Sequence, residues 1–256
     1  MAAAEPKSIN LNADLGESFG AWTTGSDAEL LAIIDSANIA CGFHAGDPLV
    51  MRRTLQLAKT AGTGIGAHVA FPDLQGFGRR PMAIPHAELE AIILYQIAAL
   101  DGMARTEGLA LRHVKPHGAL SNMACADAAL AGTVAKAIKA YNPALILLAP
   151  ALSELYKAGE AAGLPVVAEI FADRAYLDDG NLVPRSRPDA MIHGAAASLA
   201  HVSAMLDEQA LITVSGKRLP TPIGSICVHG DGPDAVATAR HLRDELVRRG
   251  YRPTPL

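Results

Sequence analysis

Seven short apolar runs punctuate this chain of 256 residues, and each is followed by a segment patterned for a helix. They are SINLNA (8–13), ANIACG (37–42), GIGAHV (64–69), LRHVKP (111–116), ALILLA (144–149), VVAEIF (166–171) and SICVHG (225–230). Nearly continuous apolar runs rich in Ile, Val and Ala are how parallel strands buried on both faces read. Regular alternation of strand and helix restricts the fold to α/β, either a closed parallel β/α barrel or a doubly wound open sheet. Neither a linker nor a shift in composition interrupts the pattern, so one domain over 1–256 is expected. A small hairpin insertion is expected near 211–222, LITVSGKRLPTP, before the last strand.

Helix boundaries carry their own chemistry. Ser26 to Glu29 has the form of a capping box before LLAII. Asp47 precedes Pro48 as a capping carboxylate, and the helix that follows ends on Gly62. Pro85 opens a long helical pattern, 127–140 is Ala-rich, and a further helix ends on Gly163. Two more helical patterns lie at 195–210 and 234–250.

Half the residues are apolar and 19% are charged, which supports a large core and excludes wholesale disorder. A net charge of −4 gives no electrostatic reason to expect nucleic acid. The three cysteines, Cys41, Cys125 and Cys227, form no C-x-x-C and fit a reducing compartment. MAAAEPKS at the N-terminus has no basic segment leading into an apolar one, and no apolar stretch is long enough for a membrane span. The expectation is a cytoplasmic protein.

Ionisable groups collect where the strands end. Strand one ends in Asn12, Asp14 and Glu17, and strand two carries Asn38 and ends in His44 and Asp47. Strand three ends in His68 and Asp73, and strand four in His113, Lys115 and His117. Strand six ends in Glu169, Asp173 and Arg174, and the last strand in His229 and Asp231. Active sites of α/β barrels and open sheets form at this carboxyl edge, so convergence from six strands points to a catalytic mouth. Residues 113, 115 and 117 alternate and share one face of an extended strand, at depths differing by about 6.5 Å per two-residue step. His113 is then deepest, and Lys115 becomes the centre of an anion-handling edge.

Plainer roles exist for several of these groups. Asp47 and Asp231 stand where helix caps belong, and Glu17 and Asp73 suit loop organisation. His86, His201 and His241 lie in helical patterns and read as surface or packing residues. Cys41 and Cys227 sit within apolar strands and read as small buried hydrophobes. Arg79 and Arg80 lie in a Gly-rich loop suited to anion binding. Nucleotide motifs are weak: GTGIG (62–66) enters a strand instead of following one, and SGKR (215–218) lacks the upstream glycine of a phosphate-binding loop.

The strand-end motifs INLNADLGESFG (9–20), SANIACGFHAGDP (36–48), FPDLQGFGRR (71–80), HVKPHGAL (113–120), EIFADRAY (169–176), LVPRS (182–186) and ICVHGD (226–231) closely resemble the LamB/YcsF family. Two departures stand beside the site. Val69 follows His68 where the family usually has proline, and Ser121-Asn122 follows HGAL where the family commonly has Tyr-Asn. That family corresponds to the A subunit of the prokaryotic ATP-dependent 5-oxoprolinase. The resemblance implies a seven-stranded parallel β/α barrel of the glycoside hydrolase/deacetylase type. It also implies ring opening of 5-oxo-L-proline to L-glutamate, with ATP as cosubstrate handled largely by partner subunits B and C.

On this reading Asp14 is the general base, with Glu17 and Glu169 as second choices, and Lys115, His44 and His117 complete the catalytic set. Asn12, Asn38, His68, Arg79, Glu169, Arg174, His229 and Asp231 are expected to bind substrate, and no residue is assigned to a metal. Two alternatives remain open: a metal-dependent deacetylase in which Asp14 with His44, His68 or His117 holds a divalent ion, and a non-catalytic subunit that delivers substrate.

Overall fold

Ser8–Leu15 (β1) alternates strictly, with Ser8, Asn10, Asn12 and Asp14 on one face and Ile9, Leu11, Ala13 and Leu15 on the other. A strand places successive side chains on opposite faces, so one face joins the apolar core and the other is polar throughout. The polar face points along the barrel axis, where Asn12 reaches Glu169 and Asp14 reaches Lys115 from across the barrel. This alternation refines the expectation of strands apolar on both faces. The barrel interior is a hydrogen-bonded polar network, and the apolar core lies between strands and helices.

The structure, a computed structural model, describes residues 7–230, 232 and 234–256. The other strands are β2 (Ser36–Ala40), β3 (Gly64–Val69), β4 (Leu111–Pro116), β5 (Ile146–Pro150), β6 (Val166–Phe171), β7 (Ala210–Ile212), β8 (Arg218–Pro220), β9 (Ser225–Val228) and β10 (Arg252–Pro253). β1 to β6 pair in parallel in chain order, β9 follows β6, and β9 pairs back with β1. That last ladder closes a seven-stranded parallel barrel and excludes the open sheet. β7 and β8 form an antiparallel pair outside it. β10, which the sequence pattern does not reveal, adds in parallel to the start of β1.

The helices are α1 (Asp27–Leu31), α2 (Pro48–Ala61), α3 (His86–Thr106), α4 (Gly118–Ala126), α5 (Ala128–Tyr141), α6 (Glu154–Ala162), α7 (Ala195–Glu208) and α8 (Ala235–Arg248). Among the described residues no helix is long and apolar enough to cross a membrane.

Three local features position the site. Asp47 caps α2 through the amides of Leu49 and Val50, and its other oxygen takes the Gly20 amide at 2.7 Å, tying the β1–α1 loop to α2. The expected capping box at Ser26 is absent. Ser26 makes no side-chain cap, and Asp27 instead accepts from the Gly16 amide and the Thr54 hydroxyl. α4, unforeseen in the sequence, starts at Gly118 directly after β4. Gly118 has φ of +52°, and a side chain there would strike the Gly78 carbonyl. Only glycine adopts that backbone at such close approach without strain.

Candidate active site

The deepest layer of the barrel is a relay of amides. Asn12 Nδ2 donates to Glu169 Oε1 at 2.9 Å and to Ser225 Oγ at 2.8 Å, while its Oδ1 accepts from Asn38 Nδ2 at 2.7 Å. Asn38 also donates to Asp14 Oδ1 at 2.8 Å, and its own Oδ1 lies 2.7 Å from His113 Nε2. All five residues other than Asp14 are fully buried. Asn12, Asn38 and Glu169, expected to touch substrate, therefore lie beneath the cavity with their polar atoms largely committed to one another. His113 is the deep, packed residue its register predicts. A side chain at Gly66 would collide with its ring, and the β3–β4 register shifts between Ile65 and Gly66. Burial lowers the His113 imidazole to about 3, so the ring is neutral.

Lys115 sits on this layer. Its ammonium is 2.9 Å from Asp14 Oδ1, 3.1 Å from Glu169 Oε1, 3.0 Å from Cys227 Sγ and 3.3 Å from Asn12 Oδ1. Burial works against the charge, but Asp14, Cys227 and Glu169 outweigh it and hold the lysine well above its ordinary range. Lys115, expected as the centre of an anion-handling edge, does line the cavity, but its ammonium is engaged with the barrel floor. Four acceptors already surround the ammonium, so it neutralises the carboxylates of the barrel floor. Cys227, which its apolar strand presents as a small hydrophobe, is one of those acceptors.

Asp14 is the carboxylate that reaches the cavity. Burial pushes its pKa upward, but the neighbouring His68 ring and Lys115 ammonium dominate and hold it well below the usual carboxylate range. Oδ1 is taken by Lys115 and Asn38, whereas Oδ2 has the looser contact, 3.3 Å from His68 Nε2. Glu169 behaves differently: burial dominates, Lys115 offsets it only in part, and its pKa is raised. Its Oε2 has no hydrogen-bond partner among the described residues.

Above this floor lies a cavity of about 420 Å³, lined by Asp14, His68, Arg79, Lys115, His117, Phe171, Arg174, Arg185 and His229 among others. A second cavity of about 330 Å³ adjoins it and shares Asn122, Arg174, Leu182, Pro184 and Arg185. On one wall both oxygens of Asp173 lie 2.8 Å from His229 Nδ1, and the His229 ring stacks on Phe171 at 5.5 Å. Desolvation opposes protonation of His229, but Asp173 overcomes it and raises the pKa above the ordinary histidine value. In the same pair burial works upward on Asp173 and His229 outweighs it, so the carboxylate is lowered. Arg174 is buried, donates to the Val183 carbonyl at 2.8 Å, and has an Nε with no partner among the described residues. His201 braces it from behind through the Arg174 carbonyl at 3.1 Å.

On the opposite wall His44, His68 and His117 pack as a cluster. The rings of His44 and His117 stack at 3.8 Å, and His68 meets both edge-on. His44 Nε2 is 3.1 Å from Glu17 Oε1. Burial first, then the neighbouring imidazoles, lower both His44 and His117 well below the usual range. The Arg79-Arg80 pair divides its work. Arg80 pairs with Asp73, which also takes the amides of Gly76 and Arg80 and so organises the loop, while Arg79 lies 4.9 Å over the Phe77 ring and faces the cavity. Asp231 lies outside the described residues. Asp173 and Arg185 stand within the strand-end motifs but are not among the expected site residues. Their one signal in the sequence is position after strand six, and only the fold shows that they meet the last strand's histidine and the cavity rim.

With this geometry established, comparison places the chain. Residues 9–256 match the LamB/YcsF family. The chain belongs to that family. It is 60% identical over 243 residues, covering 95% of both chains, to a protein of Azoarcus sp. (strain BH72) named as the A subunit of 5-oxoprolinase. The crystal structure of the lactam utilization protein from Thermus thermophilus superposes with a TM-score of 0.91 at 40% identity, covering 97% of this chain and 100% of that one. The catalytic domain of a peptidoglycan N-acetylglucosamine deacetylase from Eubacterium rectale ATCC 33656 gives a TM-score of 0.51 at 10% identity, covering 100% of this chain and 93% of that one. That likeness concerns the barrel alone. Family motifs that read as separate stretches of sequence thus converge on one cavity.

Proposed function

We propose that this chain is the ring-opening subunit of an ATP-dependent 5-oxoprolinase, converting 5-oxo-L-proline to L-glutamate together with subunits B and C. The observation that carries the reading is the 60% identity, over nearly the full length of both chains, to a protein named as the A subunit of 5-oxoprolinase. The site supplies chemistry to match. A lactam is a stable amide, so water must be directed at its carbonyl carbon and the ring nitrogen must be made a leaving group.

Asp14, which lines the cavity and whose Oδ2 has the looser contact, accepts the proton of the attacking water, and His68 and Lys115 keep it ionised. His229, whose protonated form Asp173 favours, donates to the departing ring nitrogen. Arg174, Arg185 and Arg79 bind the substrate carboxylate and any phosphoryl group. ATP enters through the partner subunits, by phosphorylation of the lactam oxygen. Water addition to that activated carbon gives an adduct carrying hydroxyl, phosphate and ring nitrogen. Loss of phosphate from the adduct would regenerate the lactam and waste the ATP. Proton donation by His229 makes nitrogen the better leaving group, so the C–N bond breaks, and a second water hydrolyses the resulting acyl phosphate to glutamate and phosphate.

The test is glutamate release from 5-oxoproline and ATP by this chain alone and with subunits B and C. Release is expected only with the partners, and Asp14→Asn should lower it by about 100-fold or more, the scale of a lost general base, with unchanged circular dichroism. Full turnover by Asp14→Asn would remove Asp14 from the chemistry.

A further inference from the structure

Glu17, His44, His68 and His117 each offer one ligand atom, the four atoms lie within 4.8 Å of one another, and all four residues are buried. They arrive from the β1–α1 loop, the β2–α2 loop, β3 and the β4–α4 junction, so the fold builds this cluster from four separate segments.

The orientation of two rings is fixed from outside. His68 Nδ1 lies 2.8 Å from the Lys115 carbonyl, and His117 Nε2 lies 2.8 Å from the Phe77 carbonyl. A carbonyl oxygen only accepts, so each of these nitrogens carries a hydrogen. The inner nitrogens, His68 Nε2 and His117 Nδ1, then face each other at 2.9 Å. In two neutral rings both would present lone pairs, so a positive species must stand there: a proton on His68 Nε2, which also lies 3.3 Å from Asp14 Oδ2, or a metal ion. An outer N–H on a backbone carbonyl is the support that metal-bound imidazoles characteristically have.

The donor set points to a metal ion as the species this cluster is built to hold; the 2.9 and 3.1 Å separations suit a shared proton as well, and binding decides between them. A tetrahedral ion with bonds of about 2.05 Å sets its donors about 3.3 Å apart. Here the inner nitrogens are 2.9 Å apart, Glu17 Oε1 is 3.1 Å from His44 Nε2, and it is 3.8 Å from His117 Nδ1. These three separations lie within about 0.5 Å of that requirement; the His44 and His117 rings stack in nearly parallel planes, so one of them must turn for both to ligate the same ion. Three imidazoles and one carboxylate suit a zinc-class ion, and they suit magnesium or calcium, which prefer oxygen donors, poorly. Gly78 shows how close the rings are held: a Cβ there would lie 2.7 Å from His44 Cβ and 2.8 Å from His117 Cδ2.

We propose that Glu17, His44, His68 and His117 form a binding site for one zinc-class divalent ion. The ion places positive charge at the edge of the cavity beside Asp14, where it adds Lewis acidity to the wall that meets the attacking water. Any part in catalysis rests on the ring-opening reading, whereas binding does not, so binding is measured directly.

The full chain, stripped with chelator and dialysed, is titrated with Co²⁺ by visible absorption and with Zn²⁺ by calorimetry. One ion per chain is expected, with the intense bands of tetrahedral cobalt. His117→Ala and His44→Ala should weaken binding by about 100-fold or more, beyond the 10- to 100-fold typical of losing an outer partner. Glu17→Gln removes only charge and guards against loss of fold; it should weaken binding too, whereas His201→Ala should bind as wild type. Absence of stoichiometric binding would show that the ring nitrogens share only a proton and would overturn the proposal. Binding unchanged in His117→Ala, His44→Ala and Glu17→Gln would place the ion elsewhere and overturn it equally.

Discussion

Replacing Lys115 by methionine tests whether this lysine neutralises the barrel floor or captures substrate. Methionine fills similar volume but leaves Asp14 and Glu169, both buried, without the cation that lies 2.9 and 3.1 Å from them. Removing one partner of a buried ion pair typically costs about 3–5 kcal/mol. At about 2–4 °C per kcal/mol for a chain of this size, melting should fall by roughly 6–20 °C at pH 8. The pH dependence gives the sharper signature. In the native protein Asp14 is depressed, so its stabilisation is present above the unfolded pKa and is lost as pH falls through the folded one. Without Lys115, burial raises Glu169 further and Asp14 keeps only the neighbouring His68 and His229 rings to oppose burial, so the charged carboxylates cost more at high pH and are relieved by protonation as pH falls. The stability gap between wild type and Lys115→Met should therefore narrow from pH 8 to pH 5, and adding Glu169→Gln should recover part of it. Urea titrations across this range measure the gap. A variant as stable as wild type at pH 8 that has lost only substrate affinity would refute the neutralising role and restore Lys115 as an anion trap.

Two further outcomes follow from the walls of the cavity. Asp173→Asn removes the charge that raises His229, leaving burial to lower it. If protonated His229 is the acid, activity is lost as pH rises through its pKa, so the alkaline limb of kcat/KM should move to lower pH; an unmoved limb would rule His229 out. Gly78→Ala introduces a Cβ against His44 and His117 at a residue with φ of +65°. It should destabilise the chain by about 1 kcal/mol or more from backbone strain alone and lower glutamate release with it, as thermal melts and the coupled assay would show.

How much of this is legible in the sequence depends on the range of the interaction concerned. The apolar runs and the groups that end the strands are local, so the strand–helix alternation and the rim that carries its chemistry can be read along the chain. Closure into a barrel is implied only by the family resemblance, and the polar alternation of Ser8 to Leu15 emerges in the structure. Cap residues divide by geometry. Asp47 caps as its position before Pro48 suggests, whereas Ser26 does not, because Asp27 is drawn to Gly16 and Thr54. Alternation puts Lys115 on the right face but says nothing of its neighbours, since Asp14, Glu169 and Cys227 come from three other strands and no spacing reveals them. The same holds for the Asp173–His229 pair. α4 escapes pattern reasoning because its helix begins on the strand's own final turn, at a glycine that reads as a break.

The β9–β1 ladder that closes the barrel also sets an order of events in synthesis. β1 leaves the ribosome first, yet one of its two barrel neighbours begins at Ser225, about 210 residues later. At about 5–20 residues per second, that edge waits roughly 10–40 s for its partner. Throughout that interval Asn12 lacks Ser225, and one flank of β1 offers unpaired amides and carbonyls to any passing strand. β10, which covers the start of β1, arrives later still. Truncation near the C-terminus should therefore be far more disruptive than the small size of its last elements suggests, because the final residues seal the first strand.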